Sequence, residues 1–322
     1  MEAVKKVLVV FPMDAPQREQ LSAAFPELEF CFAGASEVTK EQVHAADVIF
    51  GNPSPNLIRG TKKLKWIQLN SAGTDGYTAD GVLPDGALLT NATGAYGLTI
   101  SEHLLGMLLM LYKKLYSYRD AQLEHHWTDA GSVKTVVGST VLILGAGNIG
   151  TEFAKRVKAM GATTIGVRRT PGDVPDCYDE MHFMEDLDDL LPRADVISMS
   201  LPGTPATTHI INRERIARMK EDAVILNVGR GSAIDLEALC DAMEAGKLWG
   251  VGLDVTEPEP LPADHRLWGM KNAVITPHAA GGFHLEQTVE FITGIFTRNL
   301  KQLLKGGELE NMVDFATGYR KK

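Results

Sequence analysis

A glycine-rich turn between a buried strand and a helix constrains this chain more than any other feature of its sequence. Gly145, Gly147 and Gly150 form a G-x-G-x-x-G pattern directly after the apolar run 141–144, and a helical pattern over 151–160 follows. A strand, a glycine turn and a helix in that order are typical of the parallel α/β domains that bind the pyrophosphate of a dinucleotide. The sequence therefore predicts a dinucleotide site at this turn.

Each glycine has its own physical role in this interpretation. Gly145 permits the tight turn, Gly147 leaves room for the pyrophosphate, and Gly150 lets the helix pack closely on the strand. The first helical turn also supplies the backbone amides of Asn148 and Ile149, and the helix dipole favours the negative charge of phosphate. The alternative interpretation is a glycine-rich turn that binds no ligand.

Short apolar strands alternate with helical segments through the rest of the chain. Residues 4–96 contain this alternation without a glycine fingerprint, so the first domain is predicted to be α/β but not the nucleotide binder. The pattern over 100–118 predicts one long helix opened by Thr99 or Ser101. A closing helix over 285–304 is predicted to return, with the tail, to the first domain.

Composition excludes several classes of function. The net charge of −9, without a lysine and arginine stripe, argues against a nucleic-acid partner. No apolar run is long enough to span a bilayer, so we expect no membrane association. Cys31, Cys177 and Cys240 are far apart and lack the spacing of a metal site. We therefore expect a cytoplasmic protein without a bound metal.

Polar residues follow several predicted strands, where ligands bind in open α/β sheets. Arg230, Asp254, the stretch 257–259 and His278 come at three such strand ends. An arginine can bind a carboxylate through two hydrogen bonds, and a histidine can give or take a proton near neutral pH. A carboxylate beside that histidine holds the ring and favours its protonated form. This set indicates chemistry on a polar carbonyl compound.

These motifs resemble those of the D-isomer-specific 2-hydroxyacid dehydrogenases. The resemblance covers essentially the whole chain, and several motifs occur in the family's order. They are Asn227-Val228-Gly229-Arg230-Gly231, Leu253-Asp254-Val255, Glu257-Pro258-Glu259-Pro260-Leu261-Pro262, Thr276-Pro277-His278 and, in the first domain, Ser71-Ala72-Gly73-Thr74-Asp75.

The resemblance implies an α/β fold with two Rossmann-like, doubly wound parallel sheets. The dinucleotide-binding domain, residues 98–284, would be inserted into a substrate domain made of residues 1–97 and 285–322. The family's members are usually homodimers, so a homodimer is expected. The implied reaction is hydride transfer between a nicotinamide cofactor and a small 2-oxo or 2-hydroxy acid.

Roles follow from the resemblance residue by residue. Arg230 would bind the substrate carboxylate and polarise the 2-oxo group. His278 would be the general acid in reduction and the general base in oxidation. Glu259 would pair with His278 and keep it protonated, with Glu257 as the rival. The glutamate before the Pro-Leu-Pro sequence matches the family, which favours Glu259.

Further positions are implied to bind the substrate or the cofactor. The backbone amides of Ala72 and Gly73 match the family's carboxylate-binding loop, and Asp254 matches the residue near the nicotinamide carboxamide. We also expect Pro202 and Thr207, after the strand predicted over 196–199, to contact the cofactor.

The second strand of the nucleotide domain indicates which cofactor is preferred. An acidic residue at its end usually binds the ribose hydroxyls of NAD. Here the strand is followed by Arg168, Arg169 and Thr170. Two guanidinium groups suit the 2′-phosphate of NADP(H), so we predict NADP(H) over NAD(H), although NAD(H) use stays possible.

Two functions remain open from the sequence. The first is reduction of a small 2-oxo acid of the glyoxylate, hydroxypyruvate or 2-ketopantoate type to the D-2-hydroxy acid. The second is a low-turnover regulator that senses the nucleotide and binds a protein partner. Of the remaining histidines, His103 and others are interpreted as surface or packing residues, and His284 as a weaker candidate for substrate contact.

Overall fold

The computed structural model describes residues 4–74, 76–316, 318 and 320–321. Asp75, the last residue of the predicted carboxylate-binding motif, lies outside the described residues. The chain divides into two compact units. We call residues Met1–Ala95 with His284–Lys322 the flanking unit and residues Tyr96–Phe283 the inserted unit.

Strands and helices alternate along the chain as the sequence predicts. The strands are β1 Lys6–Val9, β2 Glu29–Phe32, β3 Val48–Phe50, β4 Trp66–Gln68, β5 Leu88–Thr90, β6 Thr140–Leu144, β7 Thr163–Val167, β8 Glu180–His182, β9 Val196–Met199, β10 Ala223–Asn227, β11 Leu248–Leu253 and β12 Ala273–Ile275. The helices are α1 Ala15–Ala24, α2 Lys40–Ala45, α3 Pro55–Ile58, α4 Gly97–Tyr112, α5 Leu115–Leu123, α6 Asn148–Ala159, α7 Leu187–Leu190, α8 Arg213–Arg218, α9 Leu236–Glu244 and α10 Glu286–Lys305.

The flanking unit contains a parallel sheet in the order β2-β1-β3-β4-β5. Helix α10, from the C-terminal part of the chain, packs on this sheet: the Phe296 ring stacks on Phe50 at 4.1 Å and on Trp66 at 5.4 Å between centroids. A buried polar network lies beside it, in which the Trp66 indole donates to Thr90 Oγ1 at 2.8 Å and Thr90 Oγ1 donates to Gln68 Oε1 at 2.7 Å. Burial of these aromatic rings joins the two ends of the chain in one unit.

The inserted unit contains a second parallel sheet in the order β12-β11-β10-β9-β6-β7-β8. The chain runs outward from β6 to β8, then crosses back to β9 and continues to β12. The order reverses between β6 and β9, which makes the carboxyl end of β6 the topological switch point of a doubly wound sheet. The predicted fold class, two Rossmann-like parallel-sheet domains with one inserted into the other, is confirmed.

The long helix predicted over 100–118 is wrong at both ends. Helix α4 begins at Gly97, and its N-cap residue Tyr96 makes no side-chain capping bond, so neither Thr99 nor Ser101 opens it. The helix ends at Tyr112, and Lys114 has a left-handed φ of 53° before α5 begins. The Nζ atoms of Lys113 and Lys114 donate to the backbone carbonyls of residues 134 and 130, and these tertiary contacts accompany the break.

The helix N-caps predicted at two other positions are present in the structure, whereas one strand is not predicted by the sequence. Thr39 and Asp235 accept hydrogen bonds from the first turns of α2 and α9, as predicted. The sequence does not predict strand β8, because its three residues, Glu180-Met181-His182, include only one apolar residue. It is an edge strand whose polar side chains pair with each other, and Glu180 also contacts Arg193.

Candidate active site

A histidine and a glutamate from two strand-end loops of the inserted unit form a hydrogen-bonded pair. His278 follows β12, and its Nδ1 lies 3.0 Å from Oε2 of Glu259, in the loop after β11. The other carboxylate oxygen of Glu259 accepts a bond from the amide of Thr256 at 3.1 Å. Because an ionised carboxylate only accepts, Nδ1 of His278 carries the hydrogen, and Nε2 is the ring atom left to exchange a proton with a substrate.

The rival acid Glu257 points to a different histidine. Its Oε2 lies 3.9 Å from Nε2 of His209, and both side chains are more than half exposed, at 56% and 53%. Glu259 is therefore the glutamate that contacts His278, and Glu257 forms only a loose pair with His209.

The turn that carries Arg230 is held by Asn227 at the end of β10. The Asn227 side chain donates to the Arg230 carbonyl at 3.0 Å and accepts from the Gly229 amide at 3.0 Å. Gly231 lies against the loop that bears Glu259, since a Cβ at Gly231 would lie 2.0 Å from the carbonyl of Thr256. Glycine is therefore required there, and the Arg230 turn sits directly beside the Glu259 loop.

Asp254 is a buried carboxylate, 2% exposed, that holds the segment 276–280, which we call the His278 loop. Its Oδ1 accepts bonds from Thr276 Oγ1 at 2.5 Å and the Ala279 amide at 2.8 Å, and its Oδ2 accepts from the Ala280 amide at 3.1 Å. Its backbone carbonyl accepts from the His278 amide at 2.8 Å. The observed contacts of Asp254 thus organise the loop that carries the histidine.

The glycine turn after β6 has the geometry that a dinucleotide requires. Gly145 has a φ of +100°, and a Cβ on Gly150 would lie 2.3 Å from the Gly145 carbonyl oxygen. A Cβ on Gly147 would meet no atom within 4 Å, so the space above this residue is open. Among the described residues, no acceptor is bonded to the amides of Asn148, Ile149 and Gly150 in the first turn of α6. Open space and unpaired amides at a helix N-terminus fit a pyrophosphate.

The residues expected at the 2′-phosphate lie in a loop after β7. The Arg168 guanidinium donates to the carbonyls of Gly172 and, at 2.8 Å, Asp173. It therefore folds back on its own loop. No acidic side chain follows β7 directly, because Arg168, Arg169 and Thr170 occupy those positions.

In two other loops that the sequence predicts to bind ligands, polar groups form hydrogen bonds within their own unit. The Thr207 hydroxyl donates to the Pro202 carbonyl at 2.6 Å and so closes the loop after β9. In the flanking unit, the Ala72 carbonyl accepts from Asn91 and the Gly73 carbonyl from Ser71. The amides of Ala72 and Gly73 have no acceptor within the part of the chain that the structure describes.

A cavity of about 610 Å³ lies beside the His278–Glu259 pair within the inserted unit. Its walls combine the acid–base pair with apolar side chains: Asp254, Thr256, Glu259, Pro260, Leu261, Trp268, Ile275, Thr276, Pro277 and His278. Its volume is in the range of small-molecule sites.

Comparison with known proteins identifies the family. Residues 105–280 match the sequence model described as D-isomer specific 2-hydroxyacid dehydrogenase, NAD binding domain. This range covers more than half of the chain. The protein belongs to this family.

Individual relatives agree with the assignment. A D-isomer specific 2-hydroxyacid dehydrogenase family protein of Aeromonas salmonicida has 32% identity and a TM-score of 0.87, over 97% of this chain and 100% of that one. The NADPH-dependent glyoxylate/hydroxypyruvate reductase of Sinorhizobium meliloti, solved with NADP and sulfate, has 26% identity and a TM-score of 0.82, over 98% and 100%.

A hydroxypyruvate reductase of Thermotoga maritima is 35% identical over 69% of this chain and 72% of its own. The chain spans only 59% and 48% of the length of the D-3-phosphoglycerate dehydrogenases that it also matches.

Membership in the 2-hydroxyacid dehydrogenases makes the protein an oxidoreductase with a nicotinamide cofactor that acts on a small hydroxy or oxo acid. No group of three or more candidate metal ligands occurs among the described residues. In the same part of the chain, no helix combines the length and the apolar character needed to cross a bilayer.

Sequence reasoning missed one polar residue close to this site. His103, interpreted as a surface or packing residue, places its Nε2 3.0 Å from Thr276 Oγ1 and 3.9 Å from Asp254 Oδ1. Its spacing of four residues from Thr99 on one helix was the available signal, because such residues share a helix face.

Proposed function

We propose that this 2-hydroxyacid dehydrogenase uses NADPH to reduce a small 2-oxo acid to the D-2-hydroxy acid. The observation that carries the proposal is the His278–Glu259 pair, whose geometry leaves Nε2 of His278 as the proton-exchanging atom. Glyoxylate and hydroxypyruvate are supported as substrates by the names of the Sinorhizobium and Thermotoga relatives, and 2-ketopantoate is proposed as a further 2-oxo acid of the same class.

In the proposed reaction, His278 and Glu259 handle the proton. A nicotinamide cofactor, when bound, would supply the hydride that reduces the oxo carbon. His278 Nε2 donates the proton to the oxygen as it becomes an alkoxide, while Glu259 stabilises the charged ring and fixes its orientation. In oxidation His278 takes the same proton back.

Arg230 binds the substrate carboxylate and polarises the 2-oxo group, since a guanidinium stays charged and bonds carboxylates through two donors. For the flanking unit by itself, a carboxylate-binding role is proposed for the amides of Ala72 and Gly73, which have no acceptor among the described residues. The amides of Asn148, Ile149 and Gly150 would hold the pyrophosphate, for which Gly147 leaves open space. Pro202, Thr207 and Asp254 complete the cofactor site.

The test is the loss of NADPH absorbance with glyoxylate, hydroxypyruvate and 2-ketopantoate, each at several concentrations. Steady turnover with at least one of them, and chiral analysis that finds the D-hydroxy acid, are the expected results. Tight NADPH binding without turnover of any 2-oxo acid would instead favour the nucleotide-sensing regulator.

The preference for NADP(H) over NAD(H) is a second part of the proposal. Strand β7 is followed by Arg168, Arg169 and Thr170 rather than by an acidic residue that would bind the ribose. The Sinorhizobium relative is also named as NADPH-dependent. Because Arg168 bonds its own loop, we expect Arg168→Ala to weaken NADPH binding through loop order and Arg169→Ala to weaken it through direct phosphate contact.

Comparison of kcat/KM for the two cofactors checks this preference. In Arg169→Ala, kcat/KM with NADPH should fall at least about tenfold and kcat/KM with NADH should change little, since a charged hydrogen bond is worth about 1.5–3 kcal/mol. In Arg168→Ala, the loss with NADPH should be smaller, because that arginine bonds its own loop. Arg168→Asp should reverse the preference. A wild-type enzyme that prefers NADH would contradict this part of the proposal.

We also propose a homodimer in the cytoplasm. Exposed apolar side chains of the inserted unit are concentrated in and after α5: Leu115, Tyr118, Leu123, Trp127, Val133 and Val137, with Trp127 fully exposed. Such a patch marks an interaction surface, and a second copy of the chain is the partner that we propose. The free cysteines, two of them buried, fit a reducing compartment.

Light scattering after size exclusion should give twice the chain mass. The pair of substitutions Leu123→Ser and Trp127→Ser should shift the protein to a monomer, whereas Phe291→Ser, also exposed but on α10, should not. A monomeric wild-type protein would contradict the dimer.

A further inference from the structure

The His278 loop receives two side chains from one face of α4. Thr99 Oγ1 donates to the Ala280 carbonyl at 3.3 Å, and His103 Nε2 lies 3.0 Å from Thr276 Oγ1. Thr99 and His103 are four residues apart, so they lie one above the other on the helix. The helix thus contacts the first and the last residue of the segment 276–280, and His278 is at its centre.

The direction of the hydrogen bonds through this contact follows from the chemistry of the groups. The Asp254 carboxylate is an acceptor, so the single hydrogen of the Thr276 hydroxyl is donated to Asp254 Oδ1, at 2.5 Å. The Thr276 oxygen then has only lone pairs for His103, and Nε2 of His103 must carry a hydrogen. The chain of donors runs from His103 through Thr276 to Asp254.

This series of hydrogen bonds affects the catalytic histidine through Asp254. Asp254 accepts from the amides of Ala279 and Ala280 with its side chain and from the His278 amide with its carbonyl. His278 itself has a left-handed φ of 52°, which is strained for a residue other than glycine and needs support from its surroundings. A displaced Asp254 carboxylate would therefore release the backbone that aims the His278 ring.

We propose that His103 is a positioning residue for the catalytic histidine, acting through Thr276 and Asp254. The inference rests on the proposed function, because it concerns the orientation of the His278 ring as the proton donor. Within the described part of the chain, His103 makes no hydrogen bond to His278 or Glu259, and it orders the loop that carries His278.

Four single variants and one double variant test this positioning role. His103→Leu removes the donor, Thr276→Val removes the hydroxyl at nearly constant shape, and His103→Gln restores a donor close to the position of Nε2. Glu102→Leu introduces the same apolar side chain at the neighbouring position of α4, where the native side chain is 58% exposed. Thermal unfolding of each variant identifies any general loss of structure.

We expect His103→Leu and Thr276→Val each to lower kcat at least about tenfold, because small displacements of a reacting group are costly. The KM for the oxo acid should change little, since Arg230 is untouched. His103→Gln should recover most of the rate, and the double variant His103→Leu with Thr276→Val should be no slower than either single one. Glu102→Leu should match the wild type.

Hydrogen exchange of the peptide that contains Ala279 and Ala280 gives a readout without turnover. Exchange should be faster in His103→Leu and Thr276→Val and unchanged in His103→Gln and Glu102→Leu. A wild-type protein that reduces no 2-oxo acid would contradict the proposed function, and the exchange result would then decide the inference. Unchanged kcat and exchange in His103→Leu, or a Gln variant as slow as the Leu variant, would overturn it.

Discussion

Oε2 of Glu259 lies 3.0 Å from Nδ1 of His278, and the amide of Thr256 holds the other oxygen of the same carboxylate. The glutamate is thereby fixed at both oxygens, and the imidazole is fixed at one nitrogen. This arrangement gives the pair a defined orientation, which is what a proton donor needs in order to meet a developing alkoxide.

Glu259→Gln should lower kcat by about tenfold or more while the protein stays folded. The amide keeps the shape of the side chain but removes the charge that stabilises a protonated ring. Glu257→Gln is the matched control, because Glu257 lies beside His209 rather than His278, and it should change kcat by less than about twofold. Equal losses in the two variants, measured in the same steady-state assay, would contradict the assignment of the acid.

His278→Ala should remove most turnover and leave cofactor binding intact. General acid–base catalysis contributes about 10²–10⁴-fold, so a fall in kcat of that size is expected. NADPH titration followed by fluorescence should give a dissociation constant close to that of the wild type, because the glycine turn is unchanged. Turnover at the wild-type rate would show that another group donates the proton.

Two glycine substitutions should separate binding from folding. Gly147 has an ordinary φ of −88° and open space at its Cβ position, so Gly147→Val should leave the melting temperature nearly unchanged. The new side chain would occupy the space of the pyrophosphate and weaken NADPH binding at least about tenfold, because phosphate contacts would be lost.

Gly150→Val should lower the stability of the fold, in contrast to Gly147→Val. Its Cβ would lie 2.3 Å from the Gly145 carbonyl oxygen and 2.9 Å from Ile143 Cγ2, so α6 could not pack on β6. Overpacking of this kind costs about 1–3 kcal/mol or more, and the melting temperature should fall. Wild-type NADPH affinity in Gly147→Val would refute the predicted location of the pyrophosphate.

Acid should destabilise the edge of the second sheet at β8. The Arg193 guanidinium, followed by the His182 imidazole, lowers the pKa of Glu180 from 4.5 to about 2. A carboxyl with a lowered pKa stabilises the folded state fully above its unfolded pKa and loses that contribution as the pH falls through the folded value.

The free energy of unfolding should therefore decline between about pH 4.5 and 2, and Glu180→Gln should flatten part of that decline. Urea unfolding at several pH values in this window measures it, with the exposed Glu185→Gln as the control. Since the Glu180 side chain is 37% exposed, solvent screening keeps the effect small. Parallel curves for the wild type and both variants would rule out a role for Glu180.

Thr90→Val should destabilise the flanking unit by about 1–3 kcal/mol, because the Trp66 indole N–H would lose its buried acceptor. Thr90→Ser keeps the hydroxyl and should recover most of the loss. Chemical denaturation of the three proteins gives the comparison. Equal stability of the Val and Ser variants would mean that the network contributes nothing measurable.

The sequence by itself determined the alternation of buried parallel strands with helices, and it determined the glycine turn. Apolar runs bounded by turns specify buried parallel strands, and the steric demands of Gly145 and Gly150 are local, so both can be read from neighbouring residues. The strand ends, where Arg230 and His278 stand, follow from the same local patterns. Family resemblance then supplied roles that no local pattern contains.

Tertiary structure decided which side chains meet. Glu257 and Glu259 are two residues apart, and only the folded loop shows that Glu259 contacts His278. The break of the predicted long helix at Lys114 and the bond from His103 to Thr276 depend on partners far away in the sequence. Periodicity reports the face on which a residue lies but not the distant group that it contacts, because that group is placed by the packing of other elements.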